Sequence, residues 1–370
     1  MRVLLTGGGT GGHVYPALAI ADMIKMNIPD AEIAFVGTKR GIENKLIPAA
    51  GYPLYHIEIQ GIRRSLSPAN LKTAYLVATS PRKAKKLIEE FKPDLVIGTG
   101  GYVCWPLLRA ASTMGVPSMA HESNALPGVA VRQVQKRVDV ILTNFEETAK
   151  LLKAKDRVVN VGNPLRKSCG TISREEARKK LGIPAEKRFV ILSFGGSLGA
   201  PRLNEAAIDV MRDYVRSRED VLHIHSGGSR QYENAKALFD SYGLSEDRGC
   251  VLKDYIYDMP TYMAAADLVI CRAGAMTLTE LAMMGKPAIL IPSPNVTDNH
   301  QYKNAKVLAD GEGAILLEEK DLTAESICDA VRLVAENEAL RKRMSEAVRR
   351  FARADAGRRI YEEITALLKK

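Results

Sequence analysis

The chain has 370 residues, 46% of them hydrophobic and 26% charged, and carries a net charge of +10. That length accommodates about two to three domains and a core that needs no metal or disulfide, and the balanced composition excludes disordered and fibrous classes. Aromatic residues make up only 6%, which leaves little for base stacking and points away from nucleic acid. The five cysteines are dispersed and form no CxxC, the pattern of a reducing compartment rather than of a disulfide framework. MRVLLTGGG runs into glycine too early for a signal peptide, and no window approaches the ~18 apolar residues of a membrane span. A soluble, cytoplasmic globular protein is expected.

In chain order, short β-branched runs alternate with helical stretches. Strands are predicted at Val3–Thr6, Ile33–Val36, Asp94–Gly98, Val116–Ala120, Val138–Leu142 and Val158–Val161, with helical periodicity over Pro16–Lys25 and Leu71–Glu90. After Gly162-Asn163-Pro164 the pattern restarts, with strands at Phe189–Ser193, Val221–His225, Leu268–Cys271 and Ala288–Ile291. Alternation of this kind builds βαβ units and a parallel sheet. The strand-to-helix turn at Gly7, Gly8 and Gly11 is echoed at Gly195, Gly196 and Gly199. The prediction is therefore two Rossmann-like α/β domains, 1–163 and 164–347, with a helical stretch from about Val348 able to lie on either. Two such sheets are expected to face each other across a cleft at the carboxyl ends of their strands, where ligands bind.

Gly7-x-Gly9-x-x-Gly12 satisfies the dinucleotide fingerprint, yet the next strand ends Gly37-Thr38-Lys39-Arg40 without the acid that would hold a ribose. A phosphate-binding lysine is missing too, because His13 stands in its place. What remains is a turn that lets a phosphate-bearing or oxyanionic group approach the backbone. His13, at its mouth, suits a general base near neutral pH or a helix cap. Ser197, in the second turn, can donate to phosphate. Cys271–Glu280 forms a third strand-to-helix junction, where Glu280 either accepts ribose hydroxyls or complements the helix dipole. His223-x-His225 has no third ligand at metal spacing, and no Asp-x-Asp occurs, so no metal or other cofactor is expected. A leaving phosphate would then be neutralised by helix ends and arginine.

Residues 1–163 hold +8 of the net charge and residues 63–92 alone +6. Arg63, Arg64, Lys72, Arg82, Lys83, Lys85, Lys86 and Lys92 are interleaved there with Leu71, Tyr75, Leu76 and Val77. Such a segment makes either a solvated helix face or a surface for an anionic membrane.

The ordered set TGGGTGGHVYPALA (6–19), GTGGYV (98–103), HESN (121–124), GNPLR (162–166), GGSLGA (195–200), CRAGAMTLTE (271–280) and NHQYKNA (299–305) resembles the peptidoglycan N-acetylglucosaminyltransferases, a GT-B family. The resemblance implies a UDP-N-acetylglucosamine (UDP-GlcNAc) donor and lipid I, the undecaprenyl-pyrophosphoryl-N-acetylmuramoyl pentapeptide, as acceptor. The first domain would serve acceptor and membrane, the second the donor. GlcNAc would pass, with inversion and without metal, to the C4 hydroxyl of N-acetylmuramic acid, yielding lipid II. By the same resemblance, Thr10, Gly11, Gly12, Asn124 and Gln301 contact the sugar, and Arg166 and Ser197 the phosphates. Ile256 contacts uracil, Ala275, Met276, Thr277 and Leu278 line the nucleotide site, Glu280 holds the ribose, and His13 is the base. The family further implies residence at the cytoplasmic face of the cell membrane and partners in cell-wall synthesis or division. Ser123 and His300 depart from the common glutamines, and Cys104-Trp105 from smaller residues. A related enzyme with another acceptor, or a UDP-sugar- or NADP-binding protein without transfer activity, would share part of this set.

Overall fold

A computed structural model describes residues 1–61, 69–165 and 169–369. The chain divides into two compact units, Met1–Leu165 with Arg353–Lys370, and Arg166–Ala352.

The first unit is built on β1 (Arg2–Thr6), β2 (Glu32–Gly37), β3 (Leu54–His56), β4 (Leu95–Gly98), β5 (Ser118–Glu122), β6 (Val140–Thr143) and β7 (Val158–Asn160). They form one parallel sheet in the order β3-β2-β1-β4-β5-β6-β7. β1 and β4 are buried nearly throughout, as strands covered on both faces must be. The strand order reverses between β1 and β4, so the loops after those two strands diverge and leave a crevice at their carboxyl ends. The helices α1 (Gly11–Asn27), α2 (Glu43–Ala49) and α3 (Ala69–Phe91) follow β1, β2 and β3.

The second unit repeats the plan with β8 (Phe189–Phe194), β9 (Val221–Ser226), β10 (Cys250–Lys253), β11 (Leu268–Cys271), β12 (Ala288–Leu290) and β13 (Ala314–Leu316). Their order is β10-β9-β8-β11-β12-β13, again all parallel, with the reversal between β8 and β11. The echo between the two glycine turns is therefore topological: each follows the strand at its sheet's switch point. The backbones differ. Gly9 is the left-handed residue of the first turn, whereas Gly196 and Gly199 are those of the second. The first helix begins at Gly11 and the second at Pro201, two residues later in the matched register.

β3, β10 and β13 lie outside the predicted strands. The helical stretch expected from about Val348 is two helices. Val348 belongs to Glu338–Arg349 and is buried in the second unit. After a break, Ala356–Leu368 returns to the first unit and buries Ile360 and Ile364 among Val3, Leu5, Val14 and Leu18.

Candidate active site

The loop Gly7–Thr10 leads from β1 into α1, and the loop Thr99–Val103 leaves β4 beside it. His13, partly buried in the first turn of α1, is held by both. Its Nδ1 lies 3.0 Å from the Gly8 carbonyl oxygen, which can only accept, so Nδ1 carries the proton and Nε2 is left with its lone pair. Thr10 Oγ1 lies 3.3 Å from the same Nδ1. Thr10 is the N-cap residue of α1 by position, yet its hydroxyl makes no capping bond.

Gly100 and Gly101 form the wall against the imidazole. A Cβ on Gly100 would fall 2.5 Å from His13 Cδ2 and 3.0 Å from Nε2, and its φ of +112° suits glycine alone. Thr99 Oγ1 donates to the His13 carbonyl at 2.7 Å. The Cys104 thiol donates to Gly100 O at 2.7 Å, and its Sγ also lies 3.1 Å from Thr6 O. Burial pushes that thiol up to about 12, so Cys104 is a neutral brace rather than a nucleophile. The His13 pKa is lowered by burial, against the opposing pull of the Gly8 bond and of the Glu43 charge. A neutral imidazole at pH 7 with an unprotonated Nε2 can accept a proton.

Glu43, absent from the sequence-derived site, lies fully buried under this loop. Its Oε2 accepts from Gly9 N–H at 3.0 Å, and its Oε1 from Thr38 N–H at 3.0 Å and Thr38 Oγ1 at 2.8 Å. Burial opposes its charge, but these bonds outweigh burial and hold the carboxyl below its usual range. The signal available in the sequence was Gly37-Thr38-x-x-Gly41-x-Glu43, in which the acid follows the strand end by one turn.

Asn124 follows β5 at the same sheet edge. Its backbone N–H and its Nδ2 both donate to Glu122 Oε1 at 3.0 Å, while Glu122 Oε2 takes Gly128 N–H at 2.7 Å. Thr10 and Gly12 are exposed and Gly11 is half-buried.

In the second unit, the loops after β8, β9 and β10 are laced together. Ser229 N–H and Oγ donate to Ser197 O at 3.1 and 3.0 Å, and Gly228 N–H donates to Asp254 O at 2.9 Å. Gly199 and Gly228, both at positive φ, pack so closely that a Cβ on either would overlap the other loop's backbone. Ser197 is exposed at the tip of its turn. Ile256 follows β10 with its side chain buried, next to Tyr257, which is 90% exposed.

Ala275, Met276 and Thr277 form the first turn of the helix Ala275–Met284, where N–H groups have no carbonyl one turn back. Leu278 differs from them. Its side chain is buried and its N–H is already bonded to Gly274 O, so it packs the helix and offers no polar group. Glu280, one turn further along, is half-buried. Arg272 is taken up structurally, donating to Ile291 O at 3.0 Å and pairing with Glu319. Gln301 accepts Ser293 N–H at Oε1 at 2.9 Å, which leaves its amide NH₂ as the end with donors for a ligand. Asn304, on the helix His300–Asp310 that also carries Gln301, donates from Nδ2 to Ala273 O. Arg166 lies outside the described residues, as do Arg63, Arg64 and the side chains of Leu71 and Lys72. His223 and His225 are buried against Ser193.

A cavity of about 520 Å³ lies at the opposite end of this sheet, beside Lys286, Arg349 and Pro287. Two of its cations are committed to helix carboxyl ends, Lys286 to Ala264 O and Ala266 O and Arg349 to Met284 O.

Both sheets and their switch points define a GT-B fold. The structure superposes on the crystal structure of Acinetobacter baumannii MurG with a TM-score of 0.77 and 29% identity, covering 99% of each chain. A UDP-GlcNAc 2-epimerase from Neisseria meningitidis, at 13% identity and a TM-score of 0.67, shares the fold alone. Residues 3–143 match the glycosyltransferase family 28 N-terminal domain and residues 190–360 the glycosyltransferase family 28 C-terminal domain. A protein from Thermoanaerobacter sp. (strain X514) is 40% identical over 367 residues, 99% of this chain and 100% of its own length. It is named UDP-N-acetylglucosamine--N-acetylmuramyl-(pentapeptide) pyrophosphoryl-undecaprenol N-acetylglucosamine transferase. A protein of the same name from Bacillus subtilis (strain 168) is 39% identical over the full length of both chains. The chain belongs to glycosyltransferase family 28.

Proposed function

We propose that this protein transfers GlcNAc from UDP-GlcNAc to lipid I, forming lipid II. The observation that carries the reading is His13, whose Nδ1 is committed to the Gly8 carbonyl so that Nε2 is the base. Nε2 takes the proton from the C4 hydroxyl of N-acetylmuramic acid as that oxygen attacks the anomeric carbon of GlcNAc. The new C–O bond forms as the bond to the UDP β-phosphate breaks, the electron pair leaves with UDP, and the sugar inverts. One base and a stabilised leaving group suffice, without the paired carboxylates of a glycosidase.

Ser197, Arg166 and the first turn Ala275–Thr277 stabilise the charge that develops on UDP, as preorganised donors do without reorganising. No metal is assigned to that role. Glu280 holds the ribose, backbone groups at Ile256 hold uracil, and Thr10, Gly11, Gly12, Asn124 and the Gln301 amide orient the sugar. The second unit serves the donor and the first the acceptor.

The protein acts at the anionic cytoplasmic face of the membrane. No helix among the described residues is long and apolar enough to cross one, and docking is assigned to the basic face of α3. Tyr75, Arg82, Lys83 and Lys86 are exposed there, whereas Leu76, at 3% exposure, belongs to the core and drops out of the docking set.

Labelled UDP-GlcNAc and a lipid I analogue test the reading directly. Wild type should transfer the label, in excess EDTA as well, and His13→Ala should bind UDP normally while turning over ~10²–10⁴ times more slowly. Transfer at the wild-type rate by His13→Ala would remove His13 from the mechanism. Loss of activity in EDTA, restored by magnesium, would overturn the metal-free leaving-group assignment.

A further inference from the structure

Gly8 and Gly9 share one peptide unit, and both of its polar ends are occupied. The carbonyl, on Gly8, accepts from His13 Nδ1–H at 3.0 Å, and the N–H, on Gly9, donates to Glu43 Oε2 at 3.0 Å. A carboxylate, a peptide and an imidazole therefore stand in line, each hydrogen-bonded to the next. We infer that Glu43 is a positioning residue for the base, acting on His13 through the Gly8–Gly9 peptide. This rests on the assignment of His13 as the base.

A carboxylate on a peptide N–H polarises that peptide and makes its carbonyl a stronger acceptor, since hydrogen bonds in series strengthen one another. The stronger acceptor favours the imidazolium that forms when Nε2 takes a proton, and fixes the tautomer that leaves Nε2 able to take it. Glu43 is also kept charged and still. It accepts three bonds, from Gly9 and from Thr38, and its carboxyl lies below its usual range in spite of burial.

The glycines around it are cut to this contact. A Cβ on Gly8 would sit 2.8 Å from Glu43 Oε1, one on Gly37 2.7 Å from its Cγ, and one on Gly41 would overlap the carboxylate. Three glycines cleared around one buried acid make a built socket. The arrangement does for His13 what a carboxylate in direct contact does for other catalytic histidines, with a peptide bond interposed. The strand-end acid of a dinucleotide site, which would hold a ribose, is replaced here by an acid that supports the loop.

Glu43→Gln keeps size and shape and removes the charge. In the full-length protein, with the His13 resonance assigned by its absence in His13→Ala, the imidazole should titrate at lower pH in Glu43→Gln than in wild type, by about one unit. The acid limb of the kcat profile should move down with it. At the plateau kcat should fall roughly tenfold, a part of the general-base contribution, while KM for UDP-GlcNAc stays within about twofold. Glu43→Asp, which retains charge, should keep the His13 titration closer to wild type. An acid with a merely structural role would lower thermal stability and leave the His13 titration where it was. Unchanged His13 titration in folded Glu43→Gln therefore overturns the inference. Wild-type transfer by His13→Ala would instead sink the base assignment, a separate result, because the titration measures the Glu43 coupling without any turnover.

Discussion

His223 and His225 stand two residues apart on one face of β9, and both rings reach Ser193 Oγ, at 2.7 and 2.8 Å. One hydroxyl links the two rings, and His223 Nδ1 is left buried without a hydrogen-bond partner among the described residues. His223 Nε2 and His225 Nδ1 share the Ser193 hydroxyl, His225 Nδ1 also lies 3.2 Å from Ser193 O, and His225 Nε2 lies 3.2 Å from Asn204 Oδ1. Asn204 Nδ2 ends the chain on Gly227 O, the carbonyl packed against Gly199 in the loop after β8. The pair that reads as an incomplete metal site thus packs beneath the loops after β8 and β9. Burial lowers His225 to about 4, and His121 likewise to about 4, where burial outweighs its bond to Gly162 O. The folded values lie below the unfolded value near 6.5, so between them the unfolded chain binds more protons. This stability is complete above about pH 6.5 and is lost as the pH falls from there toward 4. At pH 5 the loss amounts to about 2 kcal/mol for each ring that stays neutral. Urea unfolding at pH 7 and pH 5 should show that loss, and His225→Gln, with one titrating ring fewer, should show a smaller one. Equal losses in the two proteins would mean that the His225 ring does not stay neutral in the fold.

At the level of elements, the sequence discloses what is buried and periodic and hides what is short or brought in from elsewhere. β1, β4, β8 and β11 are runs of apolar residues flanked by glycine or by a strand-ending turn, and all are predicted from the sequence at nearly their observed bounds. β3, β10 and β13 are not: they are edge strands of three or four residues, such as Leu54-Tyr55-His56, that lack the β-branched run by which β7, itself a three-residue edge strand, is read. His13 is legible because a single turn carries both the glycines and the imidazole. Glu43 is not, since its relation to Gly9 exists only once β2 has paired with β1 and α2 has folded back. The basic helix shows the same limit. Its charge is readable, yet only the structure separates exposed Tyr75 from buried Leu76. Each Lys or Arg near an anionic surface contributes about 1 kcal/mol, fading within a Debye length. Replacing Arg82, Lys83, Lys85 and Lys86 with Glu should therefore abolish most co-sedimentation with anionic vesicles, and salt should do the same to wild type. Activity on a water-soluble lipid I analogue should be retained. If the quadruple variant still sedimented like wild type, α3 would be a solvated face and docking would lie elsewhere.

On the scale of the whole chain, the first unit is not finished when the chain leaves it at Leu165. Residues 353–370 return after the second unit is complete, and they supply part of the first unit's core. Ile360 and Ile364 are fully buried, four residues apart on one face of the helix Ala356–Leu368, against the cluster of β1, β2 and α1 residues that includes Val3, Leu5 and Val14. Arg353 pairs with Glu146 at 3.1 Å, and its side chain lies over Gly162, where a Cβ would fall 2.6 Å from Arg353 Cβ. The ion pair is exposed and contributes little; the two isoleucines carry the return. Truncating a buried isoleucine to alanine costs ~2–5 kcal/mol, from lost transfer and the cavity left behind. Ile360→Ala and Ile364→Ala should each destabilise the first unit by that amount, and because they share a cluster their effects need not add. The consequence for function is specific to the unit. UDP affinity, measured by calorimetry below the melting temperature, should match wild type, because every residue assigned to the nucleotide lies in the second unit. Thermal inactivation of transfer should set in earlier, because His13, Gly100 and Glu43 sit on the sheet that these isoleucines cover. A variant that lost UDP binding along with its stability would show that the returning helix supports both units rather than one.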